Sequence, residues 1–219
     1  ILDAEIDAQD KAILAPLNKE VDTLNNRCLE LMEGACKILE SADCIVNEGE
    51  QHNIELYPTE FLNSLNITGL PPHKLILKVG APVILLRNID FERGLCNGTR
   101  LIVLSMGPRL LKLQVMNGTH AQSITYLQRI DLITAPGTMP FILRRRQFPI
   151  KLAFAVTINK AQGQSLKVTG IYLPTPVFSH GQYYVANSRS GNPDTTKVFQ
   201  PLDILNRRHT KNVVYPEVL

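Results

Sequence analysis

The chain has 219 residues, 44% of them hydrophobic and 20% charged, an ordinary globular composition that contains no apolar stretch of the roughly 20 residues a membrane helix needs. Its net charge of +3 conceals an asymmetry: residues 1–50 hold four Lys/Arg against twelve Asp/Glu, and residues 51–219 hold nineteen against eight. The second stretch therefore calls for an anionic partner, nucleic acid first because counterion release drives such binding, with a plain solvated surface as the alternative.

A start at Ile1, with no methionine and no charged-then-apolar leader, reads as a fragment of something longer. KAILAP at 11–16 predicts a strand closed by proline. Asn18 is then placed to cap a helix with Val21, Leu24, Cys28, Leu31 and Met32 at helical spacing, ended by Gly34. A further strand over 37–46 completes a β-α-β unit before the polar run EGEQHN breaks the pattern. From Tyr57 the texture changes. LPPHKLILKVGAPVILLRNI alternates like strands, and NGT at 97–99, MGP at 106–108 and NGT at 117–119 punctuate TRLIVLS and LLKLQV, which predicts a small antiparallel barrel.

After TAPGTMP the run FILRRRQFPIKLAFAVTI returns to an α/β pattern. Arg144, Arg145 and Arg146 at its start are either a solvated hinge or strand edge, or a contact for a phosphate backbone. A strand, the turn NKAQGQS at 159–165, the strand VTGIYLP, a helix over 179–189 and a strand over 196–199 follow. The simplest architecture is α/β: a parallel-sheet domain in two pieces, 1–55 and 136–219, around a barrel at 56–135. Cys28, Cys36, Cys44 and Cys96 form no C-x-x-C pair and the five histidines are scattered, so free thiols and no metal site are expected. NKAQGQS is the unusual stretch. A polar, glycine-bearing turn between apolar runs is where α/β proteins hold phosphates, yet it lacks the phosphate-loop lysine, and GxxxxGK[ST] occurs nowhere in the chain.

The block RRRQFPIKLAFAVTINKAQGQSLKVTGIYLPTPVFSHGQYYVANSR closely resembles the C-terminal part of the Pif-one (petite integration frequency) ATP-dependent DNA helicases, closest to those of rolling-circle (Helitron) transposons. AILAPLNKEVDTLN resembles that family's fourth helicase motif, and EFLNSLNITGLPPHKLILKVGAPVILLRNIDFERGLCNGTRLIV its inserted barrel. NVVYPEVL resembles its tail, so the likeness runs over nearly the whole chain from Lys11. It implies the second RecA-like parallel-sheet domain of a superfamily-one helicase. ATP and Mg2+ would be bound mainly by a first, N-terminal RecA-like domain missing from these residues. The implied partners are single-stranded DNA, ATP and that domain, with no membrane, in the nucleus or alternatively the mitochondrion.

On this resemblance NKAQGQS corresponds to the fifth motif, facing both nucleotide and single strand. Thr157, Asn159 and Lys160 match positions that approach the DNA backbone, where small donors and exposed amides hold phosphates without reading sequence. Gly163 would keep the backbone open, with Gln162 and Gln164 on the nucleotide side; ordinary local hydrogen bonding is the alternative for both glutamines. Arg189, in VANSR, matches the catalytic arginine finger, a fork of donors worth roughly 10³ to 10⁵ in rate. By itself an arginine at a helix end complements the helix dipole. Arg144, Arg145 and Arg146 would add attraction for the DNA backbone. Tyr183 and Tyr184 are expected to pack their helix rather than stack on bases. Two departures are expected to loosen the segment holding Arg189: Asn187 puts an amide where the family has leucine, and SGNPDTT replaces an aliphatic continuation. The chain thus reads as the C-terminal portion of a 5′–3′ helicase, inactive alone. The alternatives are a non-catalytic nucleic-acid-binding remnant of a transposon-derived helicase and, third, a barrel scaffold that binds protein.

Overall fold

The computed structural model describes residues 10–46, 57–201, 210 and 212–215; the expectations for the acidic start, for EGEQHN and for the end of NVVYPEVL lie outside them. The chain begins with β1 (Lys11–Ala15) and α1 (Asn18–Leu31). There follow β2 (Lys37–Glu40), β3 (Ala42–Val46), α2 (Thr59–Ser64), β4 (Lys74–Leu77), β5 (Pro82–Leu85), β6 (Arg100–Met106) and β7 (Leu110–Val115). Next come β8 (Ile124–Gln128), β9 (Ile130–Ile133), β10 (Ile142–Gln147) and β11 (Ile150–Leu152). The last stretch holds β12 (Ala155–Thr157), a 3₁₀ turn (Ile158–Ala161), β13 (Val168–Tyr172), α3 (Gln182–Asn187), a second 3₁₀ turn (Pro193–Thr195) and β14 (Thr196–Phe199). These elements divide into two units, Ile1–Met32 with Ala153–Leu219, and Glu33–Leu152.

In the first unit four parallel strands lie in the order β12-β1-β13-β14. KAILA has neighbours on both sides, so Leu14 and Ala15 are fully buried, as near-continuous apolar strands of parallel sheets are. Pro16 cannot extend the ladder. Leu17, not Asn18, is the residue before the helix, and its amide donates to the Glu20 carboxylate at 3.2 Å; Asn18 is the first helical residue. The buried stripe of α1 is Val21, Asn25 and Leu29, while Leu31 is exposed. Asn25 explains this shift of face. Its Nδ2 donates to the Ala155 carbonyl at 3.0 Å and its Oδ1 accepts the Ala155 amide at 2.8 Å. β12 is an edge strand, and the side-chain amide occupies the ladder groups its missing neighbour would have used.

The second unit is antiparallel throughout. β5 to β8 form a meander continued on its other side by β11, giving the order β11-β5-β6-β7-β8, while β3-β10-β9 and β2-β4 are separate sheets. The predicted turns fall between strands: Gly98 and Gly118 take positive φ, and the Gly107 amide donates to the Leu110 carbonyl at 2.8 Å. Leu62, Leu70, Leu132 and Leu143 build a core under Tyr57 and Phe141, whose rings both meet that of the exposed Phe61; each such leucine contributes about 1.5–3 kcal/mol by leaving water.

Three expectations are corrected. Residues 37–46 do not continue a β-α-β unit: Ser41 splits them into β2 and β3, which pair antiparallel with β4 and β10. Hydrogen bonding thereby ties 37–46 and 142–152 to the antiparallel unit, whose limits are 33 and 152 rather than 56 and 135. The helix over 179–189 shrinks to Gln182–Asn187 because Gly181 sits at φ 66, a left-handed conformation that no helix interior contains.

Candidate functional site

Ligands of parallel sheets gather beyond the carboxyl ends of strands where the strand order reverses. β12 lies on one side of β1 and the strand that follows it in sequence, β13, on the other. The connection between them is NKAQGQS. Thr157 ends β12, half-buried and opposite Ala15 at the end of β1. Asn159 and Lys160 are exposed on the 3₁₀ turn, and Gln162 and Gly163 are exposed just beyond it. The turn closes through Gln162 N–H to Asn159 O (3.3 Å) and Gln164 N–H to Ala161 O (3.0 Å). Gly163 has φ 80 and nothing within 4 Å of where a Cβ would stand. The glycine is thus required by backbone conformation, and the space in front of it is open. Gln164 is half-buried and its Nε2 donates to Lys160 O at 3.1 Å.

Arg189 comes to this turn from α3. The residue is half-buried. Its Nε donates to Val185 O (2.9 Å), Nη1 to Gln164 O (3.2 Å) and Ala161 O (3.4 Å), and Nη2 to the Ser188 hydroxyl (2.7 Å). Its own carbonyl accepts the Leu166 amide at 2.9 Å. Four of the five guanidinium hydrogens are engaged and one Nη2 hydrogen remains. The two motifs that the sequence separates by more than twenty residues are therefore one hydrogen-bonded assembly. It carries donors and no carboxylate among residues 157–165 and 189. Such a set suits an anion and offers Mg2+ no carboxylate.

The departures around Arg189 are accommodated. Asn187 is half-buried but satisfied, its Nδ2 donating to Tyr183 O at 2.9 Å. The SGNPDTT segment is tied by the Ser190 hydroxyl, which meets the Thr195 hydroxyl at 2.9 Å and donates to Asn192 O at 3.1 Å. Asn192 caps the second 3₁₀ turn by accepting the Asp194 amide at 2.9 Å. Both departures that were expected to loosen the segment are thus hydrogen-bonded within it. Tyr183 is half-buried, whereas Tyr184 is 72% exposed and does not pack the helix as expected.

The arginine triplet divides by strand alternation. β10 points Arg144 and Arg146 outward and Arg145 inward. Arg144 Nε lies 3.2 Å from Cys44 Sγ, and Arg146 pairs with Asp131 at 3.2 Å. Arg145 is fully buried and so is its partner Asp43, at 2.6 Å. Nε also reaches both Asp43 oxygens at 3.0 Å, and the remaining hydrogens go to the carbonyls of Leu62, Leu65 and Pro71, each at 3.1 Å. Every donor is spent internally, which corrects the expectation that Arg145 contacts a phosphate backbone. Sequence reasoning also missed Asn25, whose signal was an amide within a helical apolar stripe, and Asp43, which gave none. Among the described residues no group of three or more His, Cys, Asp or Glu side chains is arranged to hold a metal ion.

Residues 60–106, within the second unit, match the family model described as DNA helicase Pif1, 2B domain. The ATP-dependent DNA helicase PIF1 of Xenopus laevis is 34% identical over 152 residues, 68% of this chain and 24% of that protein. That of Rattus norvegicus is 41% identical over 147 residues, 65% of this chain and 22% of the relative. The chain thus spans about a quarter of the curated relatives it matches. Among solved structures, Bacteroides Pif1 in complex with ADP-AlF3 and single-stranded DNA superposes with a TM-score of 0.60 over 86% of this chain and 40% of that one, at 22% identity, a likeness of fold. A matched 2B segment, 34% identity to one PIF1 helicase over 68% of the chain and a shared fold lead to one assignment: the chain belongs to the Pif1 helicase family.

Proposed function

We propose that this chain is the C-terminal portion of an ATP-dependent 5′–3′ DNA helicase. In it the parallel sheet is the second RecA-like domain, and the antiparallel unit is an inserted barrel-like domain. The observation that carries the reading is the contact of Arg189 with the carbonyls of Ala161 and Gln164. A guanidinium docked on the turn that bears Gln162, Gly163 and Gln164 puts a cation beside exposed amides, the donor set a nucleotide's phosphates require. The resident nucleotide supplies the transferable phosphoryl group. Mg2+ would be held elsewhere, since these residues offer it no carboxylate. To act as a finger, Arg189 gives up its two carbonyl bonds on the turn and keeps Val185 O as its hinge.

Thr157, Asn159 and Lys160 serve as the single-strand track on the same turn, so strand and nucleotide are coupled through one short segment. Arg144 and Arg146 add backbone attraction that weakens with salt. That the relatives are named ATP-dependent DNA helicases supports the activity. The bonded state of Asn187 and of 190–196 favours a working segment over a non-catalytic remnant. The test is Arg189→Ala in the protein carrying both RecA-like domains. DNA-stimulated ATP hydrolysis falls by roughly 10³-fold or more while single-strand affinity is kept; undiminished hydrolysis refutes the finger. The 219 residues alone hydrolyse no ATP, and turnover by them refutes the division of the site between two domains.

A further inference from the structure

Residues 93–130 contain five cations, Arg93, Arg100, Arg109, Lys112 and Arg129, and no carboxylate. They form the loop into β6 and the β6–β7–β8 meander. The cations have separate fates. Arg93 pairs with Asp90 at 3.5 Å and Arg100 is buried. Arg129 donates to Glu40 O (2.6 Å) and Gln147 Oε1 (2.9 Å) and lies over the Phe148 ring. Arg109 is exposed in the turn that leads into β7, and Lys112 is half-buried on the outer side of the sheet.

The outer side is unusual in its other residues as well. Tyr126 is 60% exposed, Ile124 53% and Leu110 46%, although β7 and β8 bury their alternate residues Leu111, Leu113 and Leu127 completely or nearly so. Register places Lys112 directly opposite Tyr126, Gln114 opposite Ile124 and Leu110 opposite Gln128, so these six share one face. An aromatic ring flanked by a lysine and two glutamines, on an open sheet with no carboxylate, has the composition of sheet surfaces that stack bases while cations follow the backbone. A protein-binding face would instead deplete lysine and collect aromatic and methionine anchors. The charge complement is specific: the nearest acidic position along the chain after Glu92 is Asp131, and Lys37, whose Nζ donates to Met106 O at 2.7 Å, adds a further cation at the end of β6.

We infer that the outer face of β7 and β8 is a second track for single-stranded nucleic acid, with Tyr126 as the stacking platform and Lys112 and Arg109 as phosphate contacts. It goes beyond the track on the 157–160 turn and rests on the helicase reading only for the kind of polymer involved. The experiment is fluorescence anisotropy of a short labelled oligothymidylate on the 219-residue chain across a salt series. Thermal unfolding checks that each variant is folded. Tyr126→Ala weakens binding about tenfold without altering the salt slope, Tyr126→Phe binds like the parent, and Lys112→Ala lowers the slope by about 0.7.

Wild-type affinity in Tyr126→Ala overturns the inference. If Lys160→Ala is then still weakened, the proposed function stands without this face. An equal loss in Tyr126→Phe also overturns it, because stacking needs the ring and not the hydroxyl. Absence of binding by the parent chain overturns both the inference and the single-strand track. DNA-independent self-association abolished by Tyr126→Ala, seen by sedimentation, assigns the face to a second copy and overturns it too.

Discussion

Arg145→Met is the most searching perturbation of the second unit, because it separates a structural arginine from the two solvent-facing ones beside it. The substitution strands the Asp43 carboxylate, fully buried, with the Ser41 hydroxyl still donating to it at 2.6 Å. It also orphans three carbonyls, those of Leu62, Leu65 and Pro71. Breaking a buried pair costs about 3–5 kcal/mol, and each carbonyl adds about 1 kcal/mol at most once relaxation and the gain from burying methionine are counted. A loss of about 4 kcal/mol is expected, a large share of the roughly 5–15 kcal/mol that holds a domain. Urea is the denaturant of choice, since guanidinium would raise the ionic strength and screen the exposed pairs such as Arg146–Asp131. Far-UV circular dichroism is the probe because the chain has no tryptophan. Asp43→Leu added to Arg145→Met removes the stranded charge, so the double variant is less destabilised than the sum of its singles by about 2 kcal/mol. A single-variant loss under about 1 kcal/mol, or simple additivity, refutes the buried-pair account. At temperatures where it is folded, Arg145→Met leaves the salt dependence of DNA binding intact, whereas Arg144→Ala flattens it by up to about 0.7; the reverse order refutes the assignment of faces.

Asn25→Leu keeps the apolar stripe of α1 but leaves the Ala155 amide and carbonyl without their partners, and a destabilisation of about 2–3 kcal/mol in urea is expected; a neutral result means water replaces the amide. Gly163→Ala meets open space but must hold φ 80, so a loss of about 1–2 kcal/mol is expected with weakened nucleotide response; unchanged stability shows that the turn relaxes. Burial raises the Cys28 thiol above its ordinary range, whereas Cys36 is exposed. Iodoacetamide mapped by mass spectrometry therefore labels Cys36 before Cys28 near neutral pH, and the opposite order refutes the burial of Cys28. By linkage, the raised native value means that the unfolded thiol ionises first as pH climbs. The Cys28 contribution to stability is thus fully present below the ordinary thiol value and lost as pH rises from there through the raised native value.

Local sequence was enough for what depends on nearest neighbours. The strand at 11–15, the helix that follows it and the strand at 196–199 were legible in apolar periodicity and proline placement, and the turns at Gly98 and Gly118 in their need for positive φ. The family resemblance carried the candidate positions, because short motifs keep residue identity where backbone and ligand must meet. Residues 37–46 were misassigned for a reason that periodicity cannot supply. A short apolar run is equally at home in a parallel or an antiparallel sheet, and its partners, 74–77 and 142–146, lie dozens to a hundred residues away.

What the sequence by itself determined is thus the set of local conformations and the chemistry on offer: a basic second half, a glycine turn without a phosphate-loop lysine, an arginine at the end of a short helix. Tertiary structure alone decided which of these groups face solvent. One position separates Arg144 from Arg145, yet the pleat sends the first outward and the second into contact with Asp43, 102 residues earlier. Asn25 and Arg189 acquired their partners in the same way, across 130 and 25 residues. A side chain's charge is local, but whether water or protein satisfies it depends on which distant segment the fold brings alongside, and no pattern within a window of sequence encodes that neighbour.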